Sequence, residues 1–335
     1  MDQGSLKPDG YLPRIADVGV SRLLDEFGAV EIVGPMWCGK TWTSLSFASS
    51  VTRIGREAER SLARADPTTA LVGEQPHAID EWQDVPSIWD EVRYRIDETG
   101  NRSGQFILTG SSKPNKDRLQ HSGAGRIATY RMSTMTLVET GESSGAISLA
   151  GLFGGRFDPQ LAHQRLEPYA RMICRGGWPA LRSRATGTGD YVSSYLDALF
   201  ATSITRRGFD GRVALRVAQS LARNSGKAVK FSTVAADAGI SGASPKTSAS
   251  VASSYVSELV RLYVVDEVGG WDAPIRSRSR LRTKPKRYFA DSSLAVSLLG
   301  ITQERLMSDG QLFGLLFESL AMHDLRVYAS ALPGA

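Results

Sequence analysis

A short apolar, β-branched run, Ala29-Val-Glu-Ile-Val33, breaks at a glycine and continues as Gly34-Pro35-Met36-Trp37-Cys38-Gly39-Lys40-Thr41, then Trp42-Thr-Ser-Leu-Ser-Phe-Ala48. The middle segment fits G-x-x-x-x-G-K-[ST], and its flanks read as a buried strand before it and a short helix after it. Strand, glycine loop and helix in that order set the first unit of a largely parallel, doubly covered sheet. The chemistry follows from the backbone. Glycines let successive amides curl around an anion, and the helix N-terminus adds partial positive charge. Residues 34–42 are therefore the expected nucleotide-binding stretch, with ATP and Mg²⁺ as cofactors. In it Lys40 reaches the β- and γ-phosphates and the Thr41 hydroxyl is a Mg²⁺ ligand. Cys38 lies inside the loop, where packing is its favoured role and thiol oxidation that blocks the nucleotide is the alternative.

The next segments supply the rest of such a site. A second small strand is expected at residues 51–54 and a helix at 57–64, before the breaker Asp66-Pro67. Ala78-Ile79-Asp80-Glu81 then ends a strand in two carboxylates: Asp80 to hold the metal through water, Glu81 to polarise the attacking water. The strand before them, Pro76-His77-Ala78-Ile79, is less apolar than a buried central strand should be. Val85, Ile88, Trp89, Val92 and Ile96 recur at helical spacing, and Gln105-Phe-Ile-Leu-Thr109 is a further strand ending in Gly110-Ser111-Ser112. Ser111 or Ser112 either senses the γ-phosphate or caps a helix. Arg126 is either an arginine finger for a neighbouring subunit, an internal ion pair or a solvated turn. Gly141-Glu-Ser143-Ser-Gly145 has the nucleophile-elbow pattern without the strand and helix that pattern needs, and reads as a surface turn.

Charge separates the two halves of the 335-residue chain. Residues 1–150 carry 16 Lys and Arg against 20 Asp and Glu, and residues 151–335 carry 24 against 15, so the halves are −4 and +9. Six of the second half's cations, Arg276, Arg278, Arg280, Arg282, Lys284 and Lys286, fall on alternate positions, and Arg287 follows. An extended strand would carry the six on one face, to lie along nucleic-acid phosphates or to protect a sheet edge from aggregation. Upstream, residues 160–221 are mostly helical, interrupted by Gly176-Gly-Trp-Pro179 and by residues 186–189. A short helix at 232–238, a turn at 239–243 and a proline-opened helix from Ser244-Pro245 through 262 then precede strands at 262–268 and 287–290. That order reads as a winged helix-turn-helix. The second helix offers mainly Lys246 and Arg261, at its ends, so phosphate contact is expected over base reading.

Two cysteines and four scattered histidines give neither a disulfide framework nor a zinc site. The chain has no apolar run of membrane-spanning length and opens on residues too polar for a signal peptide, which points to a cytoplasmic protein without a membrane partner.

These residues resemble the bacterial and archaeal AAA-type ATP-binding proteins that carry a C-terminal domain of unknown function. The matching blocks are the glycine loop, Ile79-Asp80-Glu81-Trp82-Gln83, Ile107-Leu-Thr-Gly-Ser-Ser112, Ala124-Gly-Arg126, Gly176-Gly-Trp-Pro179, Ser253-Ser-Tyr-Val-Ser-Glu-Leu, Arg287-Tyr-Phe-Ala-Asp-Ser-Ser-Leu-Ala and Phe317-Glu318. The resemblance implies an α/β fold: a P-loop core with a parallel sheet flanked by helices at 1–158, a helical lid at 159–228, a winged helix-turn-helix at 229–300 and the start of a further region at 301–335. The residues themselves lead to the expectation of a slow Mg²⁺-dependent ATPase whose nucleotide state moves the winged helix, with DNA along the basic segment and further copies of the chain as partners. The alternative is a nucleotide-switched binding module without enzymatic purpose. Family members continue past the Phe317-Glu318 block into a nuclease-like region, whose residues are absent here, so no nuclease activity is expected.

Overall fold

A computed structural model describes residues 6–112, 122–158, 165–184, 188–270 and 284–332. The chain divides into two compact units. One runs through Glu142 and takes in the residues from Val327 on; the other runs from Ser143 to Arg326.

The first unit is built on a five-stranded, wholly parallel sheet of β1 (Ala29–Val33), β2 (Ser50–Arg53), β3 (His77–Asp80), β4 (Phe106–Gly110) and β5 (Ile127–Arg131), in the order β2-β3-β4-β1-β5. Alternation along each strand feeds two apolar layers. Ala29, Ile79, Phe106 and Leu108 point to a layer with Trp82, Ile88, Trp89 and Ile96; Val30, Ile32, Ala78 and Ile107 point to one with Ala16, Val20, Cys38 and Met132. The helices are α1 (Ile15–Glu26), α2 (Lys40–Phe47), α3 (Glu57–Ala65), α4 (Ser87–Glu98) and α5 (Leu137–Thr140).

β3 holds a central place despite its polarity, because His77 is fully partnered. Its Nδ1 lies 2.6 Å from Ser50 Oγ, and its Nε2 lies 3.0 Å from both Thr52 Oγ1 and the Ala70 carbonyl. Glu31, in the middle of β1, accepts from Trp82 Nε1 (3.2 Å) and Thr129 Oγ1 (3.0 Å). Hydrogen bonds thus make polar side chains tolerable inside the sheet.

The second unit is mainly helical: α6 (Leu149–Phe153), α7 (Leu166–Arg175), α8 (Thr188–Ala198), which runs into a π-helical turn at Leu199–Ile204, α9 (Gly211–Arg223), α10 (Phe231–Asp237) and α11 (Pro245–Arg261). Ser244 caps α11 by accepting from the Thr247 amide, with Pro245 at the first helical position. β6 (Val265–Val268) and β7 (Lys286–Phe289) pair antiparallel, followed by helices Ser292–Leu299, Gln303–Ser308 and Gly310–Ser330.

Two distant sequence blocks meet here. The Gly177 amide donates to Asp291 Oδ2 (2.8 Å) and Trp178 Nε1 to Ser293 Oγ (2.9 Å), and the fully buried Trp178 ring lies 4.9 Å from that of Tyr195. Among the described residues, no helix is long and apolar enough to cross a membrane.

Candidate nucleotide site

Parallel strands bring their carboxyl ends to one edge, and the loops that leave that edge carry the expected chemistry. β1 delivers Gly34 and the glycine loop, β3 delivers Asp80 and Glu81, and β4, between them, delivers Thr109, Gly110 and Ser111. Gly34 is the one residue type this turn admits: φ is +154°, and a Cβ would stand 2.2 Å from the Met132 carbonyl oxygen.

Lys40 opens α2 and is only 5% exposed, yet its ammonium donates to two neutral carbonyls, those of Gly34 (3.1 Å) and Pro35 (2.8 Å). Among the described residues no carboxylate pairs with it. Thr41 Oγ1 donates to Asp80 Oδ1 at 2.8 Å, and the same oxygen accepts from Thr109 Oγ1 at 2.6 Å. The loop and the end of β3 are thereby joined across β4.

Glu81 has a left-handed backbone, φ 58°, which turns the chain as it leaves β3. Its amide donates to Thr109 Oγ1 (3.2 Å), and its carboxylate Oε2 accepts from Ser111 Oγ (3.0 Å) and from the Gln83 side-chain amide. Ser111 thus engages Glu81, and Ser112 is partly buried after it.

Within the loop, Pro35 and Cys38 are buried, Met36 and Gly39 partly so, and Trp37 and Trp42 are 43% and 48% exposed. Cys38 occupies its packing role, in the apolar layer with Val30 and Ile32.

Arg126 takes no part in this edge. It immediately precedes β5, at the opposite end of the parallel strands, roughly 16 Å away by strand rise. There its Nε donates to Asp97 Oδ1 at 2.8 Å, an ion pair within the chain.

The structure also revises the basic segment. Arg276, Arg278, Arg280 and Arg282 lie outside the described residues. Lys284 and Lys246 are exposed, and Lys286, half-exposed, pairs with Glu318 at 3.0 Å. Arg287 is turned inward: its side chain is 5% exposed, it is bonded to Glu267 (2.8 Å) and to the Val229 carbonyl (3.2 Å), and it lies over the Phe231 ring. Strand alternation, which sets Lys286 outward, necessarily sets its neighbour inward, and Arg287 is withdrawn as a phosphate contact.

Sequence reasoning passed over Thr109, Gln83, Arg14, Glu139 and Tyr11. Thr109 was within reach, as the last polar residue of a strand ending in glycine. Arg14 is buried and bonded to the loop, but its partners are 24 to 125 residues away, and no local pattern marks it.

Residues 26–141 match an AAA domain, and residues 166–305 match a domain of unknown function (DUF8612). The AAA match holds the whole strand-end constellation from Gly34 to Ser111. Uncharacterized proteins of Mycobacterium bovis and Mycobacterium tuberculosis are each 24% identical over 323 residues, 93% of this chain. The chain spans 65% of the length of these curated relatives. A solved Walker-type ATPase of Pyrococcus abyssi, 10% identical, shares the fold, with a TM-score of 0.51 over 88% of this chain and 97% of that one.

Proposed function

We propose that the chain binds ATP with Mg²⁺ at the AAA domain's strand-end edge and hydrolyses it slowly. The observation that carries this reading is Lys40. A buried ammonium that meets only neutral carbonyls has forfeited its hydration without a counter-charge, an arrangement that favours an anion in the adjoining loop. The donor set around it fits a metal nucleotide. Thr41 Oγ1 and Asp80 Oδ1, 2.8 Å apart, are hard oxygens of the kind Mg²⁺ takes, directly or through water. When bound, Mg²⁺ neutralises charge on the phosphate oxygens.

The chain's own residues do the remainder. Loop amides and Lys40 orient the β- and γ-phosphates, Asp80 holds Thr41 in place, and Glu81 takes up a proton from the attacking water. Ser111 and Gln83 fix the Glu81 carboxylate in one position, which serves a base that must aim at a single water. Glu81→Gln keeps the shape and removes the proton acceptor. Its expected result is nucleotide affinity near wild type with turnover reduced about 10²- to 10⁴-fold, read by equilibrium binding and phosphate release. Undiminished turnover would remove Glu81 from the chemistry.

The second unit supports a nucleic-acid role coupled to this cycle. α10, a turn and α11 are followed by the β6–β7 hairpin, the element order of a winged helix, and residues 151–335 carry a net +9. Lys246 and Lys284 are its exposed cations at the helix opening and the hairpin.

A further inference from the structure

Arg14 is 7% exposed, and its guanidinium spans three separate stretches of the first unit. Nη1 donates to the Cys38 carbonyl inside the glycine loop (2.9 Å), Nη2 to the Ser133 carbonyl after β5 (3.0 Å) and Nε to Glu139 Oε1 (2.9 Å). Glu139 is held in turn. Its Oε1 also accepts from the Ile15 amide (2.7 Å), and its Oε2 accepts from the Thr136 amide (2.7 Å) and hydroxyl (3.1 Å).

A second tether leaves from the same place. The Arg14 amide donates to Asp17 Oδ2 (2.9 Å), and Asp17 Oδ1 accepts the Tyr11 hydroxyl proton (2.6 Å). The Tyr11 oxygen lies 3.1 Å from Thr43 Oγ1, in the first turn of α2, so Thr43 is the donor there. Burial and the Asp17 carboxylate push the Tyr11 phenol up to about 12, so it remains a donor across the working pH range. Segment 11–17 thus grips the loop on one side of Lys40 and the helix on the other.

The geometry of the peptide bond gives this grip a function. In a trans peptide the carbonyl of one residue and the N–H of the next point in opposite directions. With the Cys38 carbonyl fixed on Arg14, the Gly39 N–H is aimed away from Arg14, and it makes no hydrogen bond among the described residues. A loop that cradles phosphate needs such inward-facing amides set before the anion arrives.

We propose that Arg14, backed by Glu139, is a positioning residue for the phosphate loop: it fixes the Cys38–Gly39 peptide so that the Gly39 amide serves the β-phosphate. This rests on the nucleotide reading above. The test uses the full chain as wild type, Arg14→Lys, the double variant Arg14→Met/Glu139→Gln and Lys40→Ala. The readouts are ADP affinity, competition by inorganic pyrophosphate, and melting without nucleotide.

Arg14→Lys keeps the charge and loses the fork, whereas the double variant removes both charges and leaves neither one buried alone. Each Arg14 variant is expected to lose about tenfold in ADP affinity and in pyrophosphate competition, the size of one charge-assisted hydrogen bond. At least one of the two should melt within a few degrees of wild type. ADP and pyrophosphate affinities equal to wild type in the folded Arg14 variants, whatever their melting temperatures, overturn the assignment while leaving the nucleotide site standing. Failure of the wild type itself to bind ADP defeats the nucleotide reading and this proposal with it.

Discussion

Lys40, at the start of α2, and His77, in β3, are both basic side chains withdrawn from water, and the fold treats them oppositely. Lys40 sets its terminal nitrogen against two carbonyls with no carboxylate beside it among the described residues, a local cost that makes sense where an anion is to be bound. His77 gives up its charge: burial holds its pKa below the usual 6.5, against a smaller opposing effect of the Ala70 carbonyl. The unfolded chain binds a proton there near pH 6.5 and the folded chain does not, so this contribution to stability is present above that pH and is lost as pH falls below it. The melting temperature of wild type relative to His77→Gln is therefore expected to decline between pH 7.5 and 5.5. Parallel melting curves across that range would return His77 to pH-independent packing. At this scale Lys40, Thr41, Asp80 and Glu81 were legible in the sequence because residue type and spacing carry their chemistry. Arg14 and Glu139 were not, because a buried ion pair bridging 125 residues leaves no local trace. Arg287 was misjudged by counting charge without applying strand alternation to it.

Among the elements, the strand–loop–helix unit could be read directly, since an apolar run broken by glycine has few other structures open to it. Helix α11 likewise starts where its serine cap and proline place it. Strand β6 starts at Val265, three residues later than its apolar run implies. The Leu262 and Tyr263 amides bond back to Glu258 and Val260, and Tyr263 turns the chain at φ 57° before extension begins. The pairing of Gly176-Gly-Trp-Pro179 with Asp291-Ser-Ser293 is a tertiary event that neither block announces alone. Gly176 is its hinge point, with φ +71° and an added Cβ only 2.1 Å from Asp291 Oδ1. Gly176→Ala is expected to destabilise the second unit by about 2 kcal/mol or more, measured by urea unfolding. A loss below about 0.5 kcal/mol would mean that Asp291 shifts freely, and that the junction holds less of the unit together than its bonds suggest.

For the whole molecule, the charge split acquires a place in space. The acidic first part contains the parallel sheet and the candidate nucleotide edge. The basic second part is a helical unit whose alternating arginines fall outside the described residues. Duplex DNA binding by the full chain should weaken steeply with salt, and replacing Arg278, Arg280 and Arg282 by alanine should lower both the affinity and the slope. An unchanged salt slope in that triple variant would assign the arginines to solubility alone. The proposed nucleotide site centres on the buried Lys40, and the most direct measurement is the rate of phosphate release from ATP with Mg²⁺ by wild type and Lys40→Ala protein under identical conditions. The account predicts slow but measurable hydrolysis by wild type and none above background for Lys40→Ala; equal hydrolysis by the two proteins would contradict it.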